Sequence, residues 1–224
     1  DDTTPSSSTQ PSGTSGTATD STEPTEPTQP TQTQDPDAAA EELGSVLVVG
    51  DRAMEVPYGD KDTIRSYADA VNDIAAKLGS SVRTFSIAVP NAAAFYAPAE
   101  NQHMLQTDMI AACYDRLKEL KSTAIAVDAY SKLEAHKDEY LYYRTDHHWT
   151  SLGAYYAYSQ LCEALGLTPF DPAAHTALTR DGFYGTHYSK ARTWNAVPDT
   201  ITYYDLQNAL TIWNVTGPGQ PTEG

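Results

Sequence analysis

Apolar residues along the chain alternate between short continuous runs and longer stretches with helical spacing. The first run, Val46 to Val49, ends at Gly50-Asp51 and is typical of a strand buried on both faces. The next stretch predicts a helix that starts at Asp60 or Asp62 and ends at Gly79. Its apolar side chains recur every three or four residues; they are Ile64, Tyr67, Ala68, Val71, Ile74, Ala75 and Leu78.

The same alternation continues through the middle of the chain. A strand is predicted from Val82 to Val89, a helix from about His103 to Leu120, and a strand from Ala124 to Val127. Strands that alternate with long helices favour a mainly parallel central sheet covered on both faces. The predicted fold class is therefore α/β.

Ligands of such sheets bind at the carboxyl ends of the strands, where the connecting loops converge. Three polar segments follow predicted strands and would lie along that rim: Gly50-Asp51-Arg52, Pro90-Asn91 and Asp128. Ordinary turn chemistry is the favoured explanation of each segment when it is taken alone. Asp51 and Asn91 are nevertheless kept as candidate residues of a site.

Residues 1–37 differ in composition from the rest of the chain. They hold 11 Thr, 6 Ser and 6 Pro, no aromatic residue, and a single Ala as their only apolar side chain. Such a segment cannot bury enough surface to offset its ordering entropy. We predict a disordered Thr/Ser/Pro-rich linker over residues 1–42 and a folded domain over residues 43–224. The linker would tether the domain to a membrane or wall, with a phosphorylated or glycosylated regulatory tail as the alternative.

Charge and hydropathy narrow the partners and the location. The formal net charge of −16 opposes binding to a phosphate backbone, so no nucleic-acid partner is expected. No run of about 18 consecutive apolar residues is present. The first residue is Asp, which suggests a processed chain whose secretion signal has been removed. We therefore expect an exported protein, extracellular or at the cell surface.

The two cysteines, Cys113 and Cys162, match no zinc-ligand spacing and cannot form a disulfide framework. Both lie in helical patterns beside apolar neighbours, which favours two buried thiols. A single bridge between them is the alternative, which an exported protein permits without requiring it.

Most of the residues with catalytic potential lie between Tyr140 and Thr150. If residues 142–148 are extended, Arg144, Asp146 and His148 share one face, and Thr145 and His147 share the other. An aspartate that accepts a hydrogen bond from one imidazole nitrogen leaves the other nitrogen free to act as a general base. The pair Asp146 and His148 is therefore predicted to be catalytic.

Two other interpretations of this segment remain open. Asp146, His147 and His148 could bind a metal, although adjacent histidines point apart in a strand and no third-ligand spacing follows. The segment could instead be a structural corner in which Asp and His cap the next helix and Trp149 packs below. We predict neither a metal nor a cofactor.

The stretch from Tyr142 to Tyr158 reads Tyr-x-Arg-Thr-Asp-His-His-Trp-Thr-x-x-Gly-Ala-Tyr-x-Ala-Tyr. It resembles the signature of the bacterial DHHW family, which is similar to the SGNH-hydrolase-like O-acetyltransferases that modify alginate and other envelope polysaccharides. Weaker matches in the same order are Val48 to Glu55, Val89 to Asn91 and Phe183 to Thr186. The resemblance implies a three-layer SGNH-like fold and runs from about Val46 to the C-terminus.

The resemblance also assigns roles to residues. Its Asp-x-His falls on Asp146 and His148. Apart from the resemblance, we expect Arg144, His147 and Trp149 to surround this pair. Asn91 is a candidate oxyanion or substrate donor, because a side-chain amide at a strand end could supply one. In that family a serine in a Gly-Asp-Ser turn follows later in the chain, but here the Gly50-Asp51 pair is followed by Arg52. The chain is thus expected to be truncated at its C-terminus relative to the family and inactive alone.

The predicted function is that of an exported envelope domain, related to enzymes that transfer or remove O-acyl groups on glycans, with an envelope polysaccharide or a small acyl compound as substrate. The alternative is a carbohydrate-binding or scaffold module without catalysis. The 15 tyrosines and the tryptophans Trp149, Trp194 and Trp213 favour that alternative as faces on which sugars stack. The acyl donor, the glycan and the oligomeric state are not readable from the sequence.

Overall fold

The computed structural model describes residues 38–191 and 194–205, together with Thr211 and the strand residues 213–214 and 222–223. The predicted linker lies outside the described residues over positions 1–37. The first strand, β1 (Ala40–Leu43), already includes three residues that were predicted to belong to the linker.

Strands β2 (Val46–Val49) and β3 (Arg52–Met54) join β1 in a three-stranded antiparallel sheet. All four residues of β2 are buried, as the sequence predicts. The predicted parallel pairing of this strand is wrong, because tight turns at Gly44 and Gly50 reverse the chain on either side of it. Both glycines have positive φ, at 65° and 60°, which favours glycine over any other residue.

Parallel pairing does occur between β4 (Phe85–Ile87) and β5 (Ile125–Val127). Among the described residues the remaining sheets are antiparallel pairs, β6 (Ala177–Phe183) with β7 (Asp199–Tyr204) and β8 (Trp213–Asn214) with β9 (Thr222–Glu223). The fold is therefore a mixed α/β fold with several small sheets, and the expected mainly parallel sheet is limited in the described part to one strand pair.

The two long helices predicted before residue 121 are present, and the described residues also form shorter helices that were not predicted. Helix α1 (Lys61–Leu78) begins where the Asp60 carboxylate accepts a hydrogen bond from Thr63 N at 2.7 Å, and it ends at Gly79, whose φ is 69°. The others are α2 (Ala93–Tyr96), α3 (Gln106–Glu119), α4 (Ala129–Glu134), α5 (Ser151–Leu165) and α6 (Thr186–Lys190). Two short 3₁₀ turns lie at Ala99–Asn101 and Pro172–Ala174.

The main hydrophobic core joins the first sheet to helices α2, α4 and α5. Its fully buried side chains include Met54, Leu133, Leu141 and Tyr142. Helix α5 comes very close to the segment before it, since a Cβ on Gly153 would overlap the carbonyl oxygen of Leu141. Two residues of the Tyr140–Thr150 segment therefore belong to the core, and this anchors the segment at one end.

The two cysteines are free and buried, as the favoured interpretation predicts. Cys113 lies on α3 and Cys162 on α5. A search of the described helices finds none whose length and apolar character would let it cross a membrane.

Candidate functional site

The predicted site lies in a closed loop, which corrects the extended conformation expected for residues 142–148. Tyr142 and Trp149 form an isolated antiparallel bridge, and the chain bends at each residue from 144 to 148 between them. Tyr143 N donates to His148 O at 3.2 Å, and Thr150 N donates to Leu141 O at 2.8 Å. These bonds close the loop, and Arg144, Thr145 and Asp146 within it are buried.

A single buried carboxylate, Asp199 at the start of β7, organises the near side of this loop. It accepts hydrogen bonds from the backbone N of Arg144 and of Thr145, both at 2.8 Å. The hydroxyls of Tyr140 and Thr145 donate to the same carboxylate, which is inaccessible to solvent. Sequence reasoning missed Asp199, because nothing in its local sequence distinguishes it from a residue in a turn.

Two arginines connect the loop to the β2–β3 hairpin: Arg52 lies in β3, and Arg144 lies in the loop itself. The buried Arg52 guanidinium donates from Nη1 to the carbonyl oxygens of Tyr142 and Tyr143, at 3.0 and 2.9 Å. Burial lowers the pKa of Arg52 from its ordinary value. Arg144 forms an ion pair with Asp51, with 2.8 Å between Nε and Oδ2. The structure thus brings the predicted residues Asp51 and Arg144 together at the edge of the loop.

Asp146 and His148 form the predicted pair. The Asp146 Oδ1 atom lies 2.6 Å from His148 Nδ1 and accepts a second bond from His148 N at 3.0 Å. The Asp146 side chain is 5% exposed, whereas that of His148 is 64% exposed. The carboxylate is therefore enclosed by protein, and the imidazole it orients faces solvent.

The other Asp146 oxygen is held by the first residue of α6. Oδ2 accepts from Thr186 N at 2.8 Å. Burial acts to raise the pKa of Asp146, but the hydrogen bonds from Thr186 and His148 outweigh it and lower this pKa to about 2. A Cβ on Gly185 would overlap Asp146, so this position requires glycine for its close approach.

His147 lies on the same side of the loop as His148, contrary to the predicted opposite faces. Their ring centroids are 3.8 Å apart. His147 Nδ1 is 2.7 Å from Thr186 Oγ1 and 3.7 Å from Asp146 Oδ1. The bends at residues 144–148 remove the alternation of side chains on which the face assignment depended.

The closeness of these rings also removes one argument against a metal ion. Ligand atoms of Asp146, His147 and His148 lie within 4.8 Å of one another, and this nitrogen and oxygen set suits zinc or another first-row ion. In the structure, however, both Nδ1 atoms have hydrogen-bond partners within the protein. A metal would have to displace those bonds or use the Nε2 atoms.

A further histidine, His187 on α6, lies behind His147 and was not predicted. Its side chain is 2% exposed, and among the described residues no group forms a hydrogen bond with its Nδ1. The ring centroid is 6.0 Å from that of His147. Burial lowers the pKa of His187 to about 4, so its imidazole is neutral at pH 7. The Gly-Thr-His sequence after β6 was the available signal for this residue.

Asn91 and Trp149 have structural contacts in this arrangement. Asn91 Nδ2 donates to Glu55 O at 3.0 Å, and its Oδ1 accepts from Gln106 Nε2 and Ala93 N. Trp149 is partly buried and packs against the main core, as in the interpretation of the segment as a structural corner. Neither residue makes a described hydrogen bond with Asp146 or His148.

A family model described as DHHW protein matches residues 20–216. The structure is similar to a DHHW family protein from Eubacterium siraeum DSM 15702, with a TM-score of 0.66 and 34% identity. That match covers 78% of this chain and 57% of the other. No curated protein matches in a sequence search.

Two further solved structures are similar. Bacillus cereus PatB1, solved with a sulfonyl adduct, gives a TM-score of 0.64 at 14% identity and covers 83% of this chain and 64% of its own. The O-acetyltransferase domain of Pseudomonas putida AlgJ gives 0.49 at 20% identity, with 65% and 57% covered. The chain thus spans less than two thirds of each of these proteins.

Proposed function

Because the chain belongs to the DHHW family, we propose that it is an exported domain that takes part in the transfer or removal of O-acyl groups on envelope glycans. The hydrogen bond of 2.6 Å between Asp146 and the exposed His148 supports this function most directly. The likeness in fold to Bacillus cereus PatB1 supports a three-layer, SGNH-like arrangement. A carboxylate and imidazole in this geometry form the acid–base part of a serine acyltransferase.

Asp146 would fix the tautomer of the imidazole. With Nδ1–H donated to its Oδ1, the Nε2 atom of His148 has a free lone pair directed toward solvent. The depressed pKa of Asp146 keeps this carboxylate ionised throughout the range in which an imidazole titrates. His148 would then remove the proton of an attacking hydroxyl and return it to the leaving group.

The attacking hydroxyl is proposed to come from a serine elsewhere in the full-length protein. Among the described residues no serine forms a hydrogen bond with His148. Ser151, which follows it most closely, donates to Thr202 O at 2.6 Å at the start of α5. This chain covers 57% and 64% of the lengths of two similar solved structures.

The residues around the pair are proposed to orient it and to contact substrate. Arg144 would hold the loop through its ion pair with Asp51. His147, held by its hydrogen bond to Thr186, would contact the substrate beside His148. Asn91 would act on the substrate only through the amide hydrogen that Glu55 does not take. Trp149 would support the loop from below.

The proposed substrate is an envelope polysaccharide or a small acyl compound. The Thr/Ser/Pro-rich composition of residues 1–37 supports a spacer that separates an exported domain from a membrane or wall. The net charge of −16 gives no support to a nucleic-acid partner.

Hydrolysis of 4-nitrophenyl acetate by the full-length gene product tests this proposal. We expect His148→Ala and Asp146→Asn each to lower kcat/KM by about 10³-fold or more. The first variant removes the general base of the nucleophile, and the second removes the carboxylate that fixes the tautomer of that base. The 224-residue chain alone should hydrolyse the ester near the background rate.

His136→Ala is a matched control, since His136 Nδ1 also lies 2.6 Å from a carboxylate, that of Glu139, outside the site. It should leave the rate unchanged. Full-length activity that survives His148→Ala would refute the proposal. Turnover by the chain alone that disappears in His148→Ala would show instead that a described hydroxyl or a water molecule is the nucleophile.

A further inference from the structure

A cavity of about 550 Å³ lies beside the C-terminal half of α5, apart from the Asp146–His148 pair. Ligand pockets commonly have volumes in this range. Its walls combine two aromatic rings with several hydrogen-bonding side chains, namely Tyr155, Tyr156, Lys132, Ser159, Gln160 and Glu163. The end of α5 and residues 167–169 complete the rim.

Tyr156 provides a rigid wall of this cavity. Its ring stacks on His136 with 3.9 Å between centroids and an interplanar angle of 17°. Its hydroxyl donates to Glu139 Oε2 at 2.8 Å, and the Lys132 ammonium lies 5.7 Å from the ring centroid. These contacts fix the ring, so it loses little side-chain freedom when a ligand contacts it, and this favours binding.

Tyr155 stands between this cavity and a second, apolar one. The second cavity has a volume of about 140 Å³ and includes Leu152, Phe170 and Tyr204 in its lining. Because Tyr155 borders both spaces, its ring is not enclosed by close packing as a core tyrosine is. A role in core packing therefore does not explain the position of the Tyr155 ring.

Polar side chains also line this cavity. Gln160 Nε2 donates to Glu163 Oε2 at 3.2 Å, and Ser159 donates to Tyr156 O at 2.7 Å. Gln160 and Glu163 keep further donor and acceptor capacity. One lysine and one glutamate leave the lining without net charge.

We propose that this cavity binds a neutral oligosaccharide, at a site distinct from the acid–base pair. A sugar ring has apolar C–H faces that pack on aromatic rings, and hydroxyl edges that bond to amide, carboxylate and ammonium groups. An anionic polymer is disfavoured by the chain's net charge of −16. The binding does not depend on the proposed acyl-transfer activity.

Isothermal titration calorimetry of the 224-residue chain with cellohexaose and chitohexaose tests the proposal. At least one of these neutral hexasaccharides should bind, and Tyr155→Ala should weaken that binding by about fivefold or more. Tyr155→Phe should bind within about twofold of the wild type, because the ring face rather than the hydroxyl makes the contact. Tyr67→Ala, which removes a tyrosine 53% exposed on α1, is the matched control and should have no effect.

A second variant, Gln160→Ala at the rim, addresses the case in which Tyr155→Ala fails to fold, and should also weaken binding. Absence of binding by both hexasaccharides, equal losses in Tyr155→Ala and Tyr67→Ala, or tighter binding of hexagalacturonate would each overturn the proposal. His148→Ala should bind the hexasaccharide like the wild type. Failure of the acyl-transfer proposal is therefore distinguishable from failure of this one.

Discussion

The α1–α3 helix pair and the loop from Tyr140 to Thr150 are stabilised in opposite ways. Ion pairs between the helices are partly exposed, with Arg65 to Glu119 at 2.6 Å and Arg116 to Asp69 at 2.7 Å. The loop has no regular secondary structure between its bridge residues and depends on polar groups that are buried, above all on Asp199.

This difference shows where single residues control geometry. An exposed ion pair gains little, because water and salt screen it and both side chains lose freedom. A buried carboxylate with several donors is different, because removing it leaves each donor without a partner in a medium of low dielectric constant. The loop should therefore be far more sensitive than the helix pair to the loss of one side chain.

The strongest test of this comparison is Asp199→Ala. We expect the free energy of unfolding to fall by about 3–5 kcal/mol, because the donors of Tyr140, Arg144 and Thr145 lose their shared acceptor. Asp69→Ala on α1 is the matched carboxylate from the exposed region and should change stability little. Urea denaturation of both variants measures the difference. Similar losses in the two would show that the buried network has no special role.

Gly185→Ala tests the close approach to Asp146 directly. The added methyl group would overlap the aspartate, so either the loop or α6 must shift, with a loss of about 2 kcal/mol in stability. Gly59→Ala is the control, since its Cβ would meet Met109 only at 3.7 Å, an ordinary contact. Thermal unfolding measures both. A Gly185→Ala variant as stable as the wild type would mean that the loop adjusts without cost.

The pH dependence of stability sharpens the comparison within the buried region. His187 has a pKa lowered to about 4 in the folded state from an ordinary 6.5, in surroundings that include Glu55, Lys190, Asp146 and His147. Between these values the unfolded chain binds a proton that the folded chain does not.

Stability should therefore fall as pH decreases from about 6.5 to 4, by up to about 1.4 kcal/mol per pH unit. His187→Gln should lack this component, as measured by urea denaturation across that range. The contribution of Asp146, whose pKa is lowered to about 2, is present above its ordinary value of 3.8 and is lost only as the pH falls further. An identical pH profile for the wild type and His187→Gln would contradict the assignment.

The smallest effect is expected at the helix pair itself. Arg65→Ala removes the ion pair with Glu119, yet the midpoint of unfolding should stay within the error of the measurement, because both side chains are partly exposed to solvent. The packing of Ala68 against Leu117 and Cys113 should hold the helices together. The expectation would be contradicted if Arg65→Ala clearly lowered the midpoint and added salt lowered the midpoint of the wild type as well. The exposed charges would then contribute more to stability than we expect.

The predictable parts of the fold are those with local causes. Helix α1 was predicted with its cap at Asp60 or Asp62 and its stop at Gly79, because capping and periodicity are properties of neighbouring residues. The antiparallel pairing of β2 was not predicted, since a buried strand looks the same in either orientation. Gly50-Asp51 was recognised as the end of the strand but not as a tight reversal of the chain.

The site divides in the same way. Asp146 and His148 could be predicted because their pairing depends on a separation of two residues, although the local conformation assumed for them was wrong. Asp199 could not, because its importance arises from contacts with residues 54 and 55 positions away. For Gly185 and His187 the only signal was the Gly-Thr-His sequence, since their contacts with the loop span about 40 positions. No periodicity or motif in a single sequence encodes such distant contacts.

The short separation of Asp146 and His148 has a consequence for how the site can fail. Chain connectivity alone keeps the carboxylate and the imidazole at a very high effective concentration relative to each other. The pair can therefore persist in a loop that has lost its anchors. The distant anchors Asp199 and Gly185 fix the position of the loop and therefore the direction in which the Nε2 atom of His148 points. Loss of these anchors should leave the hydrogen bond between Asp146 and His148 in place but remove the fixed orientation of the imidazole.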